Sequence, residues 1–144
     1  MVKTVLIAGD FGVIHEGHID HIEKAYRLGD WLYIVTHPDS IILKHKGYKP
    51  VSLSARVKLL KGLLSLLGGC GEVIVDPNRT VENTLRKIQP DIYAKGGDRL
   101  PDNMPDEEIK ACNEIGCKVV YGVGSLLGSS RSFVGGGGWA TMKS

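Results

Sequence analysis

The chain has 144 residues, of which 42% are hydrophobic and 24% charged, with 18 basic side chains against 16 acidic ones. That length suits one domain with a real core, and that composition excludes both wholesale disorder and a membrane protein. A net charge of +2 gives no general field for a polyanion, so neither nucleic acid nor a membrane is expected as a partner, and any anion site must be local.

In chain order, Val5-Leu6-Ile7-Ala8 is a short apolar run ending in Gly9-Asp10, which predicts a strand over Thr4 to Ala8 buried on both faces. From about Gly17 to Leu28, the residues Ile19, Ile22, Ala25, Tyr26 and Leu28 recur at helical spacing, and Gly29 is the expected stop. Trp31 to Thr36 predicts the second strand, closed by His37-Pro38. Ser52 or Ser54 can cap a helix whose Val57, Leu60, Leu63, Leu64 and Leu67 face a core, ending at Gly68-Gly69. Glu72 to Val75 reads as the third strand, Thr80 to Ile88 as a helix capped by Thr80, and Asp91 to Ala94 as the fourth strand. Pro105 to Ile115 is a helix with Asp106, Glu107 and Glu108 in its first turn, where the macrodipole favours acids, and Cys117 to Tyr121 is the fifth strand.

Strands and helices in alternation predict an α/β fold, a Rossmann-like three-layer sandwich with a five-stranded parallel sheet. In such a sheet ligands bind beyond the carboxyl ends of the strands, so the residues after each strand are where chemistry is expected. Glycine supports that reading: there are 19 in the chain, nearly twice the background of about 7%. Nine of them lie in segments that follow strands or form loops: Gly9, Gly12, Gly17, Gly47, Gly96, Gly97, Gly122, Gly124 and Gly128. There, bare backbone can approach a ligand closely. Residues 1–134 are read as the domain and 135–144, opening with Gly135 to Gly138, as a glycine-rich tail. Cys70, Cys112 and Cys117 form an odd set without C-x-x-C spacing, and the first residues lack the apolar run of a signal peptide; a cytoplasmic setting is expected.

After the first strand comes Gly9-Asp10-Phe11-Gly12-Val13-Ile14-His15-Glu16-Gly17-His18. Glycines and a helix start there aim backbone amides at one place, a phosphate site in outline, and His15 and His18 add imidazole donors. The spacing of His15, Glu16, His18 and His21 misses the zinc-protease pattern by one residue, so no protein-bound metal is expected.

The G-x-F-x-x-x-H-x-G-H pattern of Gly9, Phe11, His15, Gly17 and His18 resembles the signature of the HxGH nucleotidyltransferase superfamily, the cytidylyltransferase-like group. Three more segments follow in that family's order. Lys46-Gly47-Tyr48-Lys49-Pro50 with Arg56 resembles its mobile basic loop and the arginine opening the next helix. Lys95-Gly96-Gly97-Asp98 is similar to the end of the fourth strand in heptose 1-phosphate adenylyltransferase domains, and Gly128-Ser129-Ser130-Arg131 to the family's last serine/threonine-rich turn. Two positions depart from the pattern: Asp10 stands where a small or hydroxyl residue is more usual, and Gly12 where an aspartate is.

The resemblance implies transfer of a nucleoside monophosphate from a nucleoside triphosphate to a phosphorylated sugar or polyol, with pyrophosphate released. It implies His15, His18, Lys46 and Arg131 as catalytic residues. Nucleotide binding would fall to Gly9, Asp10, Phe11, Gly17, Lys95, Gly96, Gly97, Asp98, Ser129 and Ser130, and acceptor binding to Asp10, Lys46 and Arg56. It further implies Mg²⁺ as the companion of the triphosphate, and a homodimer, with Trp31, Trp139 or Tyr93 as interface candidates. The Lys-Gly-Gly-Asp run favours ATP and a sugar phosphate. A cytidylyltransferase acting on glycerol 3-phosphate or another alcohol phosphate is the alternative, and a non-catalytic nucleotide-binding module is a third reading.

Overall fold

The computed structural model describes residues 2–97 and 103–124. Its elements in chain order are β1 (Thr4–Ala8), α1 (Glu16–Tyr26), β2 (Trp31–Thr36), α2 (Asp39–Lys46), α3 (Leu53–Leu67), β3 (Gly71–Val75), α4 (Glu82–Ile88), β4 (Ile92–Ala94), α5 (Asp106–Ile115) and β5 (Lys118–Val120). The five strands form one sheet in the order β3-β2-β1-β4-β5, with every pairing parallel. This is the expected three-layer α/β architecture.

Alternation along β1 decides which helices cover which face. Val5 and Ile7 pack with Ile22 of α1 and with Leu60 and Leu64 of α3, while Leu6 packs with Leu85 of α4 and with Ala111 and Cys112 of α5. Burying each such aliphatic side chain contributes about 1.5 to 3 kcal/mol, so the sheet is held from both sides by small stripes on short helices. The chain runs outward from β1 through β2 to β3 and then returns to pair β4 on the other flank of β1. The β1–β4 boundary is therefore the topological switch point, and a crevice opens beyond Ala8 and Ala94.

Several boundaries differ from the sequence reading for local reasons. The helix α1 starts one residue early, because His15 caps it, and ends at Tyr26 with Arg27 as its C-cap. Gly29 lies past that end in a tight approach, where a Cβ would stand 2.7 Å from the carbonyl oxygen of Lys3. The element α2 was not expected from the sequence; Pro38 precedes it, Ile42 is its buried residue, and Gly47 ends it in the left-handed conformation with φ 79°. Of the two candidate caps for α3, Ser52 is the one that accepts from the amide of Ala55. The expected cap at Thr80 is a correction: α4 begins at Glu82 with Val81 in the cap position, and no side chain caps it.

Tyr93 is fully buried against α4 and α5, which overturns its expected place at a subunit interface. Trp139 and the tail 135–144 lie outside the described residues. Cys70, Cys112 and Cys117 are free thiols. Among the described residues, no helix is long and apolar enough to cross a membrane.

Candidate active site

A cavity of about 910 Å³ opens at the switch point. The loop after β1, the start of α1, the end of α2, the loop after β4 and the starts of α4 and α5 all contribute to its lining.

The loop after β1 is folded around Phe11. This residue has φ 52°, a left-handed conformation that side chains rarely adopt, and its ring is 2% exposed. Core packing of the ring holds the strained backbone in place. Gly9 accommodates the ring, since a Cβ there would meet it at 3.1 Å. The ring in turn meets the imidazole of His18 edge-on, with centroids 5.1 Å apart.

His15 and His18 form a reciprocal cap at the start of α1. The amide of Gly17 donates to Nδ1 of His15 at 3.2 Å, and the amide of His15 donates to Nδ1 of His18 at 3.2 Å. Both Nδ1 atoms therefore act as acceptors, and in the neutral rings the protons sit on Nε2. The rings stack with centroids 3.9 Å apart and an interplanar angle of 26°, an arrangement that disfavours two imidazolium charges at once. Burial holds the His15 imidazole below its ordinary value of 6.5. The result is two stacked imidazoles at a helix N-terminus, a combination suited to phosphate oxygens. His21 lines the cavity too, but its Nδ1 is engaged by the carbonyl oxygen of Val123. Among the described residues, no group of three His, Cys, Asp or Glu side chains is placed to hold a metal ion.

Asp10 and Lys46 meet at the cavity, with Lys46 Nζ 3.8 Å from Asp10 Oδ2. Lys46 is the last residue of α2 rather than part of a loop. The following segment is tied back where the amide of Val51 donates to the carbonyl of Gly12 at 2.9 Å.

Arg56 does not line the cavity; it is fully buried beneath it. Its Nε donates to the carbonyl of Val51, and its guanidinium donates to the carbonyls of Asp10 and His37, to Oγ1 of Thr36 and to Oδ1 of Asp39. One side chain thus joins the β1 loop, the end of β2, the start of α2 and the approach to α3. That geometry makes Arg56 a positioning residue, in place of the expected contact with the acceptor.

Gly96 and Lys95 line the cavity, and Gly97 follows them outside its lining; Gly17 is buried behind it. Asp98, Ser129, Ser130 and Arg131 lie outside the described residues.

The far wall holds a polar cluster that sequence reading missed. Lys95 Nζ donates to the hydroxyl of Tyr93 at 3.0 Å, that hydroxyl donates to Glu108 Oε1 at 2.7 Å, and the amide of Val81 donates to Glu108 Oε2 at 3.0 Å. All three side chains are buried and all line the cavity. His37 is buried there as well, its Nδ1 bonded to the carbonyl of Asp76 at 3.0 Å. A signal for Glu108 was present: Glu108, Ala111, Cys112 and Ile115 recur at i, i+3, i+4 and i+7, which puts the acid on the apolar stripe of α5.

Comparison with known proteins gives the family and the fold. The family model described as Cytidylyltransferase-like matches residues 6–127. The chain is similar to a bifunctional protein HldE from Haemophilus ducreyi, 36% identical over 115 residues, covering 78% of this chain and 22% of the relative. It is likewise similar to HldE from Desulfatibacillum aliphaticivorans, 32% identical over 120 residues, covering 82% of this chain and 23% of the relative. The chain thus spans under a quarter of the length of these curated relatives. A lipopolysaccharide core biosynthesis protein from Thermoplasma volcanium superposes with TM-score 0.66 at 25% identity, covering 87% of this chain and 98% of that one. A protein of unknown function from Archaeoglobus fulgidus shares the fold, with TM-score 0.64 at 16% identity, covering 83% of this chain and 88% of that one. With a family match over most of its length and the H-x-G-H histidines capping the first helix at the switch point, the chain belongs to the cytidylyltransferase-like family of nucleotidyltransferases.

Proposed function

We propose that the chain transfers a nucleoside monophosphate from a nucleoside triphosphate, ATP in preference to CTP, to a phosphorylated sugar. The observation that carries this reading is the His15–His18 pair, two imidazoles whose Nδ1 atoms are both committed to backbone amides. An oxygen of the acceptor phosphate attacks the α-phosphorus, the bond from that phosphorus to the bridging oxygen breaks, and the electron pair leaves with pyrophosphate. The attacking oxygen is already ionised near neutral pH, so no general base is needed. Catalysis then consists of alignment and neutralisation of charge.

In this reading His15 and His18 donate from Nε2 to the triphosphate, and Lys46 adds a positive charge at the mouth. Gly9 and Gly96, both in the cavity lining, let the backbone come close to the nucleotide, Phe11 shapes the loop that does so, and Gly17 gives its amide to His15 from behind. Gly97 is assigned to the nucleotide through the family resemblance, while Asp10 contributes to the acceptor end. Arg131, Ser129, Ser130 and Asp98 are assigned to the nucleotide through the family resemblance. Mg²⁺ travels with the triphosphate. The residues fit a metal held by phosphate oxygens and water, whose waters would bond to carboxylates of the cavity lining such as Asp10 and Glu107. Bound there, Mg²⁺ would neutralise phosphate charge. The resemblance of the Lys95-Gly96-Gly97-Asp98 run to heptose 1-phosphate adenylyltransferase domains supports ATP and a sugar phosphate over CTP and an alcohol phosphate. Pairing of two chains is proposed by family analogy, with half-buried Trp31 as a candidate contact.

The test is a pyrophosphate-release screen crossing ATP, CTP, GTP and UTP with sugar, polyol and amino-alcohol phosphates. Release with ATP that requires a sugar phosphate is expected. Triphosphate binding without release for any acceptor would make the chain a nucleotide-binding module instead.

A further inference from the structure

We propose that Tyr48, seated on the bare backbone of Gly12, contacts substrate in the cavity, its hydroxyl donating to a phosphate oxygen; this rests on the nucleotidyl-transfer reading above. Gly12 is one of the two departures from the family pattern, and packing explains why so small a residue stands there. A Cβ at this position would be 2.5 Å from the hydroxyl oxygen of Tyr48 and 3.1 and 3.2 Å from two carbons of its ring. Glycine leaves the space in which the phenol settles against the loop. Both residues line the cavity.

The segment that carries Tyr48 is tied to that loop on either side of it. Two residues earlier Lys46 reaches Asp10 at 3.8 Å, and three residues later the amide of Val51 donates to the carbonyl of Gly12 at 2.9 Å. The phenol is thus laid across the loop after β1, the same loop that leads into the His15–His18 pair at the start of α1. A group held in this way loses little freedom when a ligand arrives. The Tyr48 side chain is 40% exposed, and among the described residues no hydrogen bond engages its hydroxyl. A phenol donating to a phosphate oxyanion makes a charge-assisted hydrogen bond. It does so without adding to the charges of the lining, which are of both signs: Asp10 and Lys46 on the same two segments, and Glu82, Glu107 and Glu108 with Lys95 elsewhere.

Phosphate oxygens belong to the triphosphate and to the acceptor alike, and the test separates the two. Tyr48→Phe and Gly12→Ala, singly and together, are compared with the wild-type full chain. The α,β-methylene analogue of ATP is titrated calorimetrically into each protein, and inorganic phosphate is then titrated into each protein saturated with that analogue. Tyr48→Phe is expected to weaken one of the two probes by about tenfold, the scale of a lost hydrogen bond to a charged group, and to leave the other within about twofold. The weakened probe names the substrate that Tyr48 contacts. Gly12→Ala adds a methyl group to which the exposed phenol can yield, so Tm should fall by less than about 3 °C while the same probe weakens. The double variant should bind that probe no worse than Tyr48→Phe alone, because the methyl then displaces a ring that no longer donates. A purely structural role would not give that non-additivity. Unchanged binding of both probes by Tyr48→Phe, equal weakening of both, additive losses in the double variant, or a wild-type chain that binds neither probe would overturn the proposal. Should the wild-type chain bind both probes yet release no pyrophosphate with any acceptor, the transfer reading fails while the binding data still decide the place of Tyr48.

Discussion

The two walls of the cavity are built by different means. The α1 wall is local: Phe11, His15, Gly17 and His18 lie within eight residues, and their hydrogen bonds span two or three positions. The opposite wall is assembled from distant segments, with Tyr93 and Glu108 joined across 15 positions and Val81 and Glu108 across 27. A local site survives as a motif, whereas a site made by packing exists only once the sheet has brought its helices together. The first wall therefore depends on particular side chains, and the second on the integrity of the fold.

The largest effect expected from breaking this contrast is at His18. His18→Ala removes a donor to the reacting phosphates, and kcat is expected to fall by about 10² or more, read by pyrophosphate release at saturating substrates. Wild-type-like turnover would remove His18 from the mechanism.

Next comes a long-range dependency of the local wall. Arg56→Met takes the guanidinium donor from the carbonyl of His37 and the Thr36 hydroxyl, and leaves the carbonyl of Asp10 with the Thr36 hydroxyl alone. A destabilisation of about 3 kcal/mol is expected, measured by urea unfolding. The residual folded enzyme should show a raised KM for the triphosphate, because Arg56 holds the backbone of the loop that carries Phe11.

A smaller effect sharpens the picture of the histidine pair. His15 has its pKa lowered by burial, so between its folded value and 6.5 the unfolded chain holds more protons than the folded one. Stability from this group is complete above pH 6.5 and declines as the pH falls through that window. Thermal unfolding at pH 7.5 and 5.5 should show that decline, and His15→Asn, which keeps an acceptor for the amide of Gly17, should lose part of it.

The smallest effect concerns the outside of the second wall. Arg86 and Glu114 pair at 2.9 Å between α4 and α5, the carboxylate raising the pKa of Arg86 and the guanidinium lowering that of Glu114, yet both are exposed. Exposed pairs contribute little, so Arg86→Ala should change Tm by less than about 2 °C and leave both KM values alone. A large change would mean that the outer pair, rather than the buried Lys95–Tyr93–Glu108 relay, holds this wall.

The same contrast explains what was legible in the sequence. Strand positions were readable because β1 and β2 are continuous apolar runs, and the first loop was readable because its glycines and histidines sit next to one another. The helix α2 was not, since Asp39 to Lys46 buries only Ile42 and carries little periodicity. Arg56 was assigned to the acceptor through the family resemblance, although its register pointed inward. It shares a stripe with Leu60 and Leu64 at i, i+4 and i+8, and that register put it in the core. Glu107 and Glu108 were both read as acids complementing the start of a helix, yet Glu108 turns inward to Tyr93 while Glu107 stays exposed. Chemistry carried by neighbours in sequence was visible; chemistry carried by neighbours in space required the fold.

The place of the histidine pair is tested most directly by nuclear magnetic resonance of its ring nitrogens in the full chain. Addition of the Mg²⁺ complex of an unreactive triphosphate analogue should shift the Nε2 signals of His15 and His18. Histidine signals that do not move would contradict a site in which this pair holds the triphosphate.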